Sequence, residues 1–268
     1  MLSRLVILLS ISMWLLSCSS SGDHEKSVPV SDSVAPSRKP AVLSRIKTPD
    51  TVLSFAGVWV NEIYVDKIRK SHSPRLSQGI MASCIVIPDS TLKETNMVAG
   101  FHEGGPQMVV VKIGERYQFY DPPLKTPLDT IEPLGPRRLR IGNQYFARLS
   151  YPDPRKTDWG ILEELLFSGK YQKVDGGEVV FGTDGHITGL DSILYYEPVI
   201  DFADRGDGQV DRINLGQSHK KLDDYSFRFD GDTLLIYTVD CLQYNANEKG
   251  CDSATFGYLL WKLKKEVR

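Results

Sequence analysis

A chain of 268 residues with 32 lysines and arginines against 34 aspartates and glutamates carries a formal charge of −2, and 41% of its residues are hydrophobic. So weak a net charge argues against phosphate-backbone binding, which normally needs a clustered basic surface, and no nucleic-acid partner is expected. The apolar fraction suffices to bury one or two cores, which excludes a disordered stalk.

The first eighteen residues bear on location. Arg4 is followed by an apolar and small-residue run, Leu5 to Leu16, and then by Ser17-Cys18. A stable membrane-spanning helix needs about 20 residues, so this run is too short to be one. The segment resembles a bacterial lipoprotein signal, in which a peptidase cuts before the cysteine and the thiol is lipidated. That resemblance implies a signal over residues 1–17, lipidation of Cys18, and attachment to the outer membrane. Ser19, rather than aspartate, after the cysteine agrees with outer-membrane sorting. An ordinary secretory signal with an incidental Cys18 is the alternative.

Beyond residue 17 there remain 251 residues, with 31 basic and 34 acidic side chains. Residues 18–50 are rich in Ser, Pro and charge and almost free of aromatics, which marks a flexible linker. A coil of about 32 residues has a root-mean-square reach of roughly 30 Å, enough to hold a domain clear of lipid headgroups.

From Val52 onward, short β-branched and aromatic runs are separated by turn residues. Tyr225-Ser226-Phe227-Arg228-Phe229 alternates, meets Asp230-Gly231-Asp232, and resumes at Leu234-Leu235-Ile236-Tyr237, which predicts a hairpin. The same pattern surrounds Gly114, Gly142 and Gly185, where glycine supplies the positive φ of tight turns. Two basic runs, Arg137-Arg138-Leu139-Arg140 and Lys262-Leu263-Lys264-Lys265, alternate with apolar residues and read as solvated strand faces. Helix is confined to Asp158–Leu166, where Glu163 and Glu164 are expected to face water, and to Val65–Lys70 with a turn near Gln78. The expected class is all-β, an antiparallel meander that closes on itself or stacks as a sandwich.

Phe55-Ala56-Gly57-Val58-Trp59 resembles the Gly-x-Trp opening of lipocalins and their calycin relatives. Glycine there lets the chain pass close to its neighbour, and the indole plugs the barrel floor. A similar phrase, Phe167-Ser168-Gly169-Lys170-Tyr171, stands 112 residues later with tyrosine in place of tryptophan. The resemblance implies up-and-down barrels closed at Gly57 and Trp59 and at Gly169 and Tyr171. Two tandem modules joined by a short helix, residues 51–153 and 157–268, are favoured over one larger barrel. The family's closing cation, an arginine over the tryptophan, has its nearest counterpart in Lys262 beside Trp261.

Cys241 and Cys251 bracket a polar stretch and are expected to form a disulfide, whereas Cys84 lies in an apolar run and reads as a buried, inert thiol. His102-Glu103-Gly104-Gly105 lacks the second histidine of a zinc helix, no Cys-x-x-Cys occurs, and phosphate-cradling glycine loops are absent. Asp201, Asp204, Asp207 and Asp211 share a Gly-rich stretch suited to calcium, although the register of a calcium-binding helix–loop–helix fails. No other cofactor is expected. Of 22 aspartates, seven precede Ser or Thr. These triplets, notably at Ser33 and Thr51, resemble O-glycosylation sites of some Gram-negative envelopes; strand starts after a turn explain them equally.

No catalytic motif emerges, and two functional readings follow. In one, the barrels bind a small apolar ligand or a partner, with Tyr64, Tyr117, Phe119, Tyr145, Tyr225, Phe227 and Phe229 lining a cavity and Ile63, Tyr64, Ile68 and Leu76 forming a lid. In the other, the same side chains fill solid cores and the protein acts as a structural or adhesive envelope component through exposed loops.

Overall fold

The computed structural model describes residues 53–80, 83–89, 91, 94–98, 107–121, 126–200, 210–245 and 250–266. They form sixteen strands arranged as two closed antiparallel barrels in tandem, each an up-and-down meander of eight strands. The first barrel runs from β1 (Gly57–Asn61), β2 (Cys84–Ile87), β3 (Glu94–Val98) and β4 (Gln107–Ile113) through β5 (Arg116–Asp121), β6 (Thr126–Pro133), β7 (Arg138–Ile141) and β8 (Gln144–Arg148), which returns to pair with β1. The second comprises β9 (Gly169–Lys173), β10 (Glu178–Phe181), β11 (His186–Leu190), β12 (Ile193–Pro198), β13 (Asp211–Ser218), β14 (Lys221–Asp230), β15 (Thr233–Asn245) and β16 (Gly250–Lys265), closed by β16 on β9.

Alternation along the strands decides which way each side chain points. In β7, Leu139 and Ile141 are buried while Arg138 and Arg140 are exposed, and in β16 Leu263 is buried between exposed Lys262 and Lys264. Turns fall where glycine permits positive φ. Gly142 (φ 57°) lies between the paired residues Ile141 and Gln144, and Gly231 (φ 56°) sits beyond the Asp230–Thr233 pair.

Each barrel is sealed at one end by the same device. Trp59 is fully buried and its indole N–H donates to the Phe55 carbonyl at 3.0 Å. Arg148, on the last strand, pairs with Trp59 in register, lies 5.7 Å over its ring, and donates to the Ala56 carbonyl. In the second barrel the Tyr171 hydroxyl donates to the Phe167 carbonyl at 2.6 Å. Lys265 pairs with Tyr171, lies 5.4 Å over that ring, and donates to the Leu166 carbonyl at 3.0 Å. Glycine is required beside both rings. At Gly57 (φ 143°) a Cβ would stand 3.0 Å from Arg148 Nε, and at Gly169 (φ 136°) one would stand 3.1 Å from Lys265 Cε. Lys262 is therefore not the closing cation: it is exposed on the outer wall, because only a residue directly opposite the ring reaches its face.

Helix α1 (Glu62–Ser71) is four residues longer than the sequence reading. Asn61 caps it by accepting from the Ile63 N–H at 2.9 Å, and His72 ends it in the left-handed region (φ 51°). Tyr64, Val65 and Ile68 form its buried face. The connection to β9 tightens into a π-helical turn, Glu163–Phe167, in which the Ser168 N–H reaches the Glu163 carbonyl at 2.8 Å. One continuous apolar cluster runs from the outer wall of the first barrel (Val58, Val60, Cys84), through α1 and the Ile161-Leu162 turn, into the second barrel's interior.

Replacing Arg148 by alanine removes a ring contact and a carbonyl hydrogen bond, and is expected to cost about 1–3 kcal/mol. The measurement is urea unfolding of Arg148→Ala against the parent chain; an unchanged midpoint would remove the closing role assigned to Arg148.

Candidate functional site

Among the described residues, each barrel's own apolar side chains pack into its interior. Phe119 is fully buried in the first, within a cluster that includes Trp59, Ile85, Val110 and Phe146. Tyr117 is half-buried and edge-on to Phe55 at 5.0 Å. In the second, Phe227 is fully buried against Phe167 at 4.9 Å, and Phe181 contacts Tyr171 and Tyr196 at 5.2 and 5.0 Å. Phe229 is half-buried between Phe167 and His72 of the α1 cap, and Tyr225 meets Trp261 at 5.8 Å.

Other residues assigned to a lumen or a lid stand elsewhere. Tyr145 faces outward on β8 with the Arg138 guanidinium 4.5 Å over its ring, because strand parity turns its neighbour Phe146 inward. Tyr64 and Ile68 are buried on α1 beside the outer wall of the first barrel, while Ile63 and Leu76 are exposed, so no lid is assembled from them. The open clefts lie at the barrels' closed ends. One of about 590 Å³ is lined by Gly169, Phe181 and Lys265, and another of about 400 Å³ by Gly57, Arg148 and Leu149; Tyr151 borders both.

A polar junction lies beneath the second barrel. Glu163, expected to face water, is fully buried and forms an ion pair with the mostly buried Lys156, whose ammonium lies 6.0 Å from the Tyr196 ring. Burial, and then the neighbouring Asp158 charge, push the Glu163 carboxyl up to about 7 against the pull of Lys156. Asp158 is itself raised by burial; it caps the turn by accepting from the Gly160 N–H at 3.1 Å. Gly185 makes room here, since a Cβ would stand 2.9 Å from Lys156 Nζ. Half-buried Glu164 accepts from the Ser150 and Tyr151 N–H groups, and Asp153 holds Arg155, whose hydrogen bond outweighs burial and lowers Asp153 to about 2. The arrangement ties the chain between the barrels to the start of the second one.

Asp211 belongs to β13 instead of a loop. It is buried, accepts from the Arg75 N–H at 2.9 Å, and is raised chiefly by burial. Asp201, Asp204, Asp207, Cys18, Ser33 and Thr51 lie outside the described residues. Among the described residues no group of three His, Cys, Asp or Glu is placed to hold a metal ion, and no helix is long and apolar enough to cross a membrane. Cys84 is a free, buried thiol pushed up to about 12 chiefly by burial, an unreactive state.

The disulfide joins Cys241 to Cys251 with Cα atoms 5.7 Å apart. Closing a loop of this length contributes about 2–3 kcal/mol. It staples the outer part of the β15–β16 hairpin, a two-stranded ribbon extending past the pairing of β14 with β15, which ends at Tyr225–Thr238. Arg212 on β13 is buried against the ribbon, donating to Asp224 at 3.1 Å and to the Cys251 carbonyl at 3.4 Å. Leu242, Tyr244, Tyr258, Leu259 and Leu260 of the ribbon are exposed, Tyr258 by 81%. Comparison of the chain with protein-family models, curated proteins and solved structures found no match.

Sequence reasoning missed Arg148, Lys265, Lys156 and Arg212. The 112-residue spacing of the two glycine phrases was the available signal for the first two, since each phrase calls for a cation on its barrel's last strand.

Glu163 binds a proton more tightly folded than unfolded, so its contribution is full below about pH 4.5 and is lost as pH rises through about 7. Thermal unfolding of Glu163→Gln across pH 5–8 is expected to show a flatter dependence than the parent chain; identical slopes would refute the assignment.

Proposed function

We propose that this protein is a non-catalytic, lipid-anchored component of the bacterial outer envelope, presenting two lipocalin-like barrels whose outer surfaces bind a protein partner. The carrying observation is that Phe119 in one interior and Phe227 in the other are fully buried among their own barrel's side chains. Barrels of eight strands are just wide enough for side chains to fill, and a filled lumen leaves a stored apolar ligand no volume. The exposed apolar ribbon supports the outer surface as the working face, because contiguous exposed apolar area on a soluble domain marks interaction sites. The lipoprotein-like signal ending at Cys18 and the polar linker after it support membrane attachment.

The test has two parts. Cells fed labelled palmitate are expected to label the parent chain, while Cys18→Ser abolishes label and releases the protein from membranes; retention of Cys18→Ser on membranes would reject the anchor. Native mass spectrometry of purified protein is expected to show no stoichiometric apolar adduct. Phe227→Ala is expected to cost about 3–5 kcal/mol in stability without altering partner capture. A copurifying lipid displaced by Phe227→Ala would restore the carrier reading.

A further inference from the structure

The outer wall of the second barrel carries a cluster that neither the closing device nor the polar junction uses. Strand parity turns Ile187 and Tyr196 into the core, so their neighbours His186 on β11 and Tyr195 on β12 face outward. These two are cross-strand partners, and Tyr195 pairs in turn with Gly216 of β13. Gly216 has no side chain to fill that row. A Cβ there would collide with the Lys221 carbonyl, and the β13–β14 turn folds close over the glycine and lays His219 against the tyrosine. The ring centres of His186 and His219 stand 4.6 and 4.1 Å from that of Tyr195 and 6.1 Å from each other.

One of the two imidazoles is already aimed. Asp184, in the β10–β11 turn, accepts the His186 N–H with Oδ1 at 3.2 Å and places Oδ2 2.9 Å from His186 Nδ1. A carboxylate at Nδ1 keeps the ring proton there and leaves the Nε2 lone pair for a metal, which is how metal-binding histidines are held. Nδ1 is buried while the ring is half-exposed, so Nε2 is the nitrogen that solvent reaches. Two imidazoles bound to one ion at about 2.1 Å hold their ring centres about 5–6 Å apart. His219 lies on an exposed turn, and a small rotation of its side chain closes the difference.

We infer that His186 and His219 bind one divalent transition-metal ion of the copper(II) and zinc(II) class, with Asp184 as the positioning residue and water in the remaining positions. Imidazole nitrogen selects these ions over calcium and magnesium, which take oxygen donors. No group of three His, Cys, Asp or Glu is placed to hold an ion among the described residues, so the site is open, unlike the four-ligand cage of a structural zinc. Copper(II) stands above zinc(II) in affinity for such donors and is the sharper probe. The inference rests neither on the lipid anchor nor on the protein partner, which other experiments test.

The full chain, purified in detergent without a histidine tag, is titrated with copper(II) near neutral pH and followed by calorimetry and electron paramagnetic resonance. One saturable equivalent with two imidazole nitrogens in its spectrum is expected. His219→Asn changes only an exposed turn, and is expected to keep the circular dichroism, weaken binding at least about tenfold and leave one nitrogen in the spectrum. Asp184→Asn is expected to weaken binding about 10–100-fold while both nitrogens stay, which neither unfolding nor loss of a ligand would give. His24→Asn with His102→Asn serves as the control and is expected to change nothing. Binding lost in that control, binding retained when His186→Asn and His219→Asn are combined, or no saturation up to about 1 mM copper(II) overturns the proposal.

Discussion

A positive side chain laid over a buried aromatic ring, at the seam where the last strand of each barrel meets the first, is the constraint on which the fold depends. A barrel closes only if its final strand returns in the correct register. Arg148 opposite Trp59 and Lys265 opposite Tyr171 fix that register with one directional contact each. Both cations also satisfy carbonyls of the turn entering the first strand, Ala56 in one case and Leu166 in the other. The seam and the floor are therefore one structure. The cation differs between the barrels, and so does the ring: a guanidinium meets the indole, an ammonium the phenol, while the neighbouring glycine is kept in both.

The polar joint beneath the second barrel complements this. A buried ion pair gains little over an apolar contact of the same volume, because two ions must be desolvated. Its effect is specificity of position. Lys156 and Glu163 hold the connecting chain to the π-helical turn, while Asp158 and Glu164 bind the backbone N–H groups of Gly160, Ser150 and Tyr151 ahead of it. Neutralising Glu163 takes away the counter-charge of the mostly buried Lys156 ammonium.

Strand content, the tandem arrangement, the turn glycines and the disulfide were legible in the sequence, because each rests on contacts between near neighbours or on strict alternation. Leu139 between two arginines and Leu263 between two lysines needed no partner to be read. Residues whose roles depend on distant partners were not legible. Arg148 looks like another solvated strand cation until β8 is laid beside β1. Glu163 occupies what a regular helix would make a solvent-facing position; its burial follows from the π-helical turn and from a lysine on the preceding loop. Tyr145 shows the converse error, in which an aromatic residue was credited to a cavity although its neighbour Phe146 takes the inward position.

The apolar cluster shared across the joint bears on how the protein comes to exist at all. Val58, Val60 and Cys84 on one barrel's outer wall are covered by a helix that also touches the other barrel's end. Half-molecules divided near Tyr151 would each carry an uncovered greasy flank, so neither is a self-sufficient building block despite its complete ring of strands. During synthesis the amino-terminal ring must wait for its successor before that flank is shielded.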